Sequence, residues 1–199
     1  MTPATTPATP TRERLIEAGA GLFQRRGYVG TGVKQIVAEA GAPFSSLYHF
    51  FPGGKEELGA EIIRWSGALY GQLVGVIFDP APDVVTAVQW FFAGAAQTLI
   101  GSGYADACPI ATVALEVAST SEILRIATDD VFTSWLVIVA ERFEGAGIEP
   151  ATARELAMAT VALLEGAFVL SRAARSVEPM HVCGAACATL VRAALPAEV

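Results

Sequence analysis

A chain of 199 residues fits one or two domains and can bury a sizeable core. Its 53% hydrophobic content, Ala- and Leu-rich with few strand-like alternations, predicts an all-α protein. Only 17% of residues are charged, below the usual ~25%, which implies apolar surface covered by self-association or an apolar cavity. The net charge of −7 excludes a general nucleic-acid-coating protein. The excess is uneven, however: residues 1–60 hold six basic side chains (Arg12, Arg14, Arg25, Arg26, Lys34, Lys55) and five acidic ones (Glu13, Glu17, Glu39, Glu56, Glu57), so all of it lies beyond them.

Residues 1–10 are mostly Thr, Pro and Ala and read as a disordered tail. Thr11 suits the N-cap of a first helix, 11–26, with Leu15, Ala18, Leu22 and Phe23 on its apolar face. Gly19 and Gly21 inside it each cost about 1 kcal/mol relative to Ala and suggest close packing by later helices. They lack the third Gly and the preceding strand of a nucleotide-binding turn. Gly27 ends the helix, and Tyr28 and Val29 are expected to pack back onto the domain.

Val33, Ile36, Val37 and Ala40 then fall on one helical face. The run Ala40-Gly41-Ala42-Pro43 breaks that helix: Gly frees the bend, and Pro43 suits the start of another. Phe44, Leu47, Tyr48 and Phe51 repeat the spacing, leaving Ser45, Ser46 and His49 on the opposite face. Two short helices around a Gly-containing turn form a helix-turn-helix, whose second helix can enter a DNA major groove. Ser45, Ser46 and His49 can exchange hydrogen bonds with base edges. The Tyr48 hydroxyl, Lys34 and Lys55 can reach phosphates, and Lys55 also opens a helix whose N–H groups favour an anion. Phe44 either meets a thymine methyl or joins the core.

A long helix, 55–78, carries apolar residues around much of its circumference and should touch both the N-terminal unit and a larger C-terminal core. Asp79-Pro80-Ala81-Pro82 breaks it. Further helices are expected over 83–100 (capped by Asp83), 109–118, 121–145, 150–175 and 180–194, nine in all. The elements thus divide the chain into 11–54, a candidate DNA-binding domain, and 55–199, a larger domain with room for a ligand cavity and for self-association, bridged by 55–78. No apolar stretch is expected to reach the ~18–20 residues of a membrane span, the run 156–170 being interrupted by Glu165 and Gly166. With no signal peptide and no disulfide framework among three scattered cysteines, the expectation is a soluble cytoplasmic protein without a membrane partner.

The run from Gly27-Tyr28 through Ile36, Ala40-Gly41, Leu47-Tyr48-His49 and Phe51 to Lys55 resembles the DNA-binding domain of the TetR/AcrR family of bacterial transcriptional regulators. Phe51-Pro52-Gly53-Gly54-Lys55-Glu56 and Cys108-Pro109-Ile110-Ala111 resemble its LmrA/YxaF-like subgroup. The resemblance implies DNA contacts at Thr31, Lys34, Phe44, Ser45, Tyr48, His49 and Lys55. It also implies a homodimer on double-stranded operator DNA, and a repressor released by a small apolar or aromatic effector. The chain departs from the family pattern at Phe44, where many members have Lys, and at Phe50, where close relatives have His; both changes remove donors. The rival reading is a small-molecule-binding protein or helical enzyme whose N-terminal unit no longer binds DNA.

The resemblance implies a ligand pocket, and Trp65, Trp90, Phe91, Tyr104, Trp135 and Phe168 are the aromatic candidates to line it. Cys108 is packed, in contact with ligand, or a redox-sensing thiol. Glu165 is the one acid in an apolar run; it lines a cavity, bonds across a dimer seam, or sits on an exposed flank. Small residues on the last two helices, among them Ala159, Ala162, Gly166 and Ala186, let helices approach closely and suit an intersubunit four-helix bundle. No catalytic set and no cofactor motif is found. His181, Cys183 and Cys187 lack the further ligands that a metal site needs, so no metal is expected.

Overall fold

The computed structural model describes residues 10–196; positions 1–9, nearly all of the expected tail, lie outside the described residues. The architecture is all-α. Among the described residues there are nine helices and no strand: α1 (Thr11–Arg26), α2 (Val33–Glu39), α3 (Phe44–Phe50), α4 (Lys55–Phe78), α5 (Val84–Gly101), α6 (Pro109–Val117), α7 (Glu122–Gly145), α8 (Pro150–Ala174) and α9 (Glu178–Ala194).

Local chemistry sets most boundaries. Asp83, Ser121 and Glu149 each cap a helix by accepting the N–H three residues on. Two starts differ from expectation. Pro10, not Thr11, holds the N-cap of α1, and the Thr11 hydroxyl instead accepts from Arg14. The last helix begins at Glu178 rather than 180, because Pro179 falls in its first turn, where its missing N–H costs nothing.

Two hydrophobic clusters organise the chain. In the first, Leu15, Phe23, Ile36, Leu47, Phe51, Leu58 and Ile62 seal α1–α3 onto the N-terminal part of α4. This core does not stop at residue 54. Ile110 and Val113 of α6 and Leu124 and Val131 of α7 belong to it, so α1–α3 share buried surface with the C-terminal helices. The second cluster joins α4, α5, α7, α8 and α9 around Phe78, Phe92, Phe143, Met180 and Val191. Gly19 lets α1 lie on α4: an added Cβ would stand 2.2 Å from Ile62 Cδ1. Gly21 makes no such approach, having only the Arg25 guanidinium beside it. Tyr28 packs edge-on against Phe23, whereas Val29, expected to pack as well, is 68% exposed.

The expectation that no segment is apolar over a membrane's width is overturned. α5, with 18 residues, and α8, with 25, are long and apolar enough to cross one by length and composition. Glu165 alone does not offset the Ala, Val and Leu around it. α5 turns Val85, Val88, Phe92, Ala96 and Leu99 into the second cluster.

Candidate functional site

The helix-turn-helix is built from its turn outward. Gly41, at φ 57°, takes the left-handed conformation that reverses the chain, and Pro43 sets the N-cap of α3 at φ −62°. Leu47 and Phe51 are fully buried and fix which way α3 rolls. Its outer face then carries Phe44 (48% exposed), Tyr48 (51% exposed), Ser45 and His49, with Ser46 half-buried at the margin. Phe44 stands edge-on to Tyr48 at 5.8 Å, and His49 edge-on to Phe50 at 4.8 Å, so two aromatic pairs brace the helix. Lys34 is exposed on α2.

Two residues in the family's contact pattern have other work. Thr31 is fully buried, and its hydroxyl donates to the Gly27 carbonyl at 2.7 Å, which fixes the loop between α1 and α2. Lys55 is half-buried: its ammonium donates to the Tyr28 carbonyl at 2.7 Å and lies 4.0 Å from the Tyr28 ring centroid. Burial lowers its pKa, with Glu116 opposing that shift. The Tyr28 carbonyl takes one of the ammonium's three N–H donors, which leaves two for a further partner.

Residues unnoticed in the sequence tie this unit to the C-terminal domain. The Glu116 carboxylate, at the end of α6, accepts the N–H groups of Tyr28 (2.7 Å) and Val29 (3.0 Å). Ser121, which caps α7, donates to Glu56 in the first turn of α4. Arg12 pairs with Glu61 and stacks over the Phe51 ring.

At the other end of α6 lies a cavity of about 320 Å³. Five of the expected residues line it: Phe91, Cys108, Trp135, Glu165 and Phe168. Three do not. Trp65 points outward from α4 and is partly exposed. Trp90, one residue from Phe91 and so about 100° around the helix, is 46% exposed and faces a shallow groove against Met180 and His181 of α9. Tyr104 sits in a loop at φ 64°, its ring packed on the second cluster and its carbonyl accepting from Arg172. Tyr70, Leu73, Ile77, Thr98 and Asp106 are also in its walls. So is Gln24 of α1, which places the DNA-binding unit itself against the cavity.

The cavity has one electrostatic feature. Trp135 holds its indole N–H on the Gly67 carbonyl at 2.8 Å, so its ring offers only apolar surface. Cys108 caps α6 by accepting from the Ala111 N–H, and its sulfur interacts with the Glu165 carboxyl. Burial, and then the neighbouring Glu165, push the thiol well above its ordinary pKa, which keeps it protonated and unreactive. Burial raises Glu165 to about 7, opposed by its contact with Cys108.

On the far side of α8 and on α9 the chain leaves apolar surface uncovered. Met158, Val169 and Leu170 of α8 and Val182 and Leu190 of α9 are exposed. The small residues Ala162, Gly166 and Ala186 are exposed as well, with nothing within 4 Å of where a Gly166 Cβ would stand. Ala159 is half-buried. The three residues weighed as metal ligands stay apart in role: His181 is exposed, Cys183 is half-buried against the second cluster, and Cys187 is buried with its sulfur 3.1 Å from the Thr160 hydroxyl.

Comparison with known proteins agrees with both halves. The family described as bacterial regulatory proteins, tetR family, matches residues 15–62. The family described as transcriptional regulator LmrA/YxaF-like, C-terminal domain, matches residues 84–186. The chain is 34% identical over 181 residues to the HTH-type transcriptional regulator YxaF of Bacillus subtilis, covering 91% of this chain and 95% of that protein. It is 31% identical over 169 residues to LmrA, an HTH-type transcriptional regulator of the same organism, covering 85% and 90%. Its fold is similar to the crystal structure of a TetR regulatory protein from Rhodobacter sphaeroides, with a TM-score of 0.81 at 22% identity over 92% of this chain and 99% of that one.

Proposed function

The chain belongs to the TetR family of bacterial transcriptional regulators, with an LmrA/YxaF-like C-terminal domain, and from that premise we propose that it is a ligand-released repressor acting as a homodimer on a palindromic operator. The observation that carries this reading is the position of the cavity. Its walls include Gln24 of the DNA-binding unit and Cys108 at the start of α6, and the far end of that helix holds the loop at Tyr28 and Val29 through Glu116.

On this reading two copies of α3 enter successive major grooves, about 34–36 Å apart if one turn separates the half-sites. Ser45, Ser46 and His49 read base edges, Phe44 offers an apolar edge to a thymine methyl, and Lys34 and Tyr48 hold phosphates. The exposed faces of α8 and α9 meet their two-fold copies, with Ala162, Gly166 and Ala186 allowing close approach and the larger side chains supplying buried area. A ligand that fills the cavity displaces α6 and α4 relative to α7. It thereby stabilises an arrangement whose half-site spacing no longer fits DNA. Ligand and operator then oppose each other through one shared equilibrium, each weakening the other by the same factor.

Selection from a random duplex pool tests the DNA half of this reading. Enrichment of a two-fold symmetric site supports it. A pool that remains random through successive rounds contradicts it and moves the weight to a ligand-binding protein without operator function.

A further inference from the structure

We propose, building on the effector-cavity reading above, that the cavity takes an amphipathic amine: an apolar aromatic body with one protonated nitrogen that pairs with the Glu165 carboxylate. The first ground is composition. The lining is overwhelmingly apolar and contains two carboxyl groups, Glu165 and Asp106, but no Lys, Arg or His. An anionic ligand would lose its hydration there with no cation to replace it.

The second ground is the state of Glu165 itself. It takes part in no ion pair among the described residues. The polar groups that share the cavity with it are accounted for. Cys108 contributes a protonated thiol, and Tyr70 a phenol that burial keeps protonated. Asp106 adds a second acid, while Thr98 and Gln24 are neutral. Arg172, two turns along α8, is the nearest basic residue on the same helix, and its guanidinium is spent on the carbonyls of Tyr104 (3.3 Å) and Ala105 (3.2 Å). A carboxyl in apolar surroundings with no cation of its own gains more from an incoming cation than one in water or already paired. The cavity volume, about 320 Å³, lies at the small end of ligand sites and suits a single aromatic or bicyclic body.

The third ground is the proton balance. With Glu165 titrating near 7, an ammonium must meet the ionised form, so binding below that pH releases a proton. A neutral ligand covering the same carboxyl favours the protonated form instead. The two ligand types therefore have opposite pH dependences in one cavity.

The test uses calorimetry on the full-length protein with three probes sharing one ring system: naphthylethylamine, naphthylethanol and naphthylacetate. At pH 8 the amine is expected to bind roughly 10- to 100-fold more tightly than the alcohol, the range of one charge-assisted hydrogen bond, with the acetate weakest. From pH 8 to pH 6 the amine's affinity is expected to fall about tenfold, as Glu165 gains its proton, while the alcohol's does not fall. Glu165→Gln is expected to bring amine and alcohol within about threefold. Equal affinities of amine and alcohol in the wild type, or an amine affinity flat with pH, would overturn the inference while leaving the effector cavity in place. Binding of none of the three would overturn both. Tight amine binding that leaves operator affinity unchanged would sustain the inference and sink the release mechanism.

Discussion

Glu165→Gln makes a stability prediction separate from ligand binding. Burial holds the Glu165 carboxyl at about 7 against an ordinary 4.5. At 1.36 kcal/mol per pH unit, that gap corresponds to about 3 kcal/mol per chain. The folded state keeps its proton where the unfolded chain has lost it, so stability falls as pH rises from 4.5 towards 7 and stays reduced above. About 2 kcal/mol of the loss falls between pH 5 and pH 8. Glutamine has nearly the same shape and does not titrate. Urea unfolding of wild type and variant, at one protein concentration and several pH values, isolates the effect because every other titration is common to both. The variant is expected to gain about 2 kcal/mol on the wild type from pH 5 to pH 8. Parallel curves would show that the carboxyl is solvated in the cavity, and would refute the burial argument.

Other perturbations probe separate parts of the molecule. Glu116→Ala removes a carboxylate shared by two backbone donors and is expected to weaken the coupling between ligand and operator, read as the shift in operator affinity at saturating ligand. Operator affinity without ligand should change by less than about threefold, since α3 is untouched. Lys34→Ala should reduce the steepness of the salt slope by about 2 per dimer, one phosphate contact in each half-site, for every sequence, whereas His49→Ala should cost about 1–3 kcal/mol per half-site and relax the sequence preference; both are read by anisotropy. Gly67→Ala would put a Cβ 2.4 Å from Val131 on the facing helix α7 and should destabilise by about 1–2 kcal/mol in urea, after the helix-propensity gain is allowed for. Val169→Asp places a charge on the exposed face of α8 and should yield monomers in sedimentation and abolish operator binding together.

The helices were legible because Gly, Pro and capping residues punctuate this chain at nearly every break. Asp79-Pro80-Ala81-Pro82 and Gly145-Ala146-Gly147 leave little room for another reading. The outer face of α3 was legible only in part: period separates Leu47 from Ser45 and His49, but it also grouped Phe44 and Tyr48 with the buried residues, and both are about half exposed. What was not legible was set by tertiary partners. Thr31 and Lys55 carry the right chemistry for phosphate, and their bonds to the carbonyls of Gly27 and Tyr28 have no local signature. Trp90 and Phe91 could not be told apart because α5 is apolar on several faces, and only its packing decides which residue turns to the cavity. Glu116 gave no local signal, because its partners lie 88 and 87 residues away. Glu165 did give one, as a lone acid in an apolar run, but the run alone could not choose between flank, seam and cavity.

The measurement that bears most directly on the central claim is anisotropy of the protein on its selected duplex, across a salt series. A homodimer gripping roughly six to eight phosphates should show log affinity falling against log salt with a slope of about −5 to −7, saturating at two chains per site. A slope near zero, or equal binding to a scrambled duplex, would contradict an operator-binding regulator.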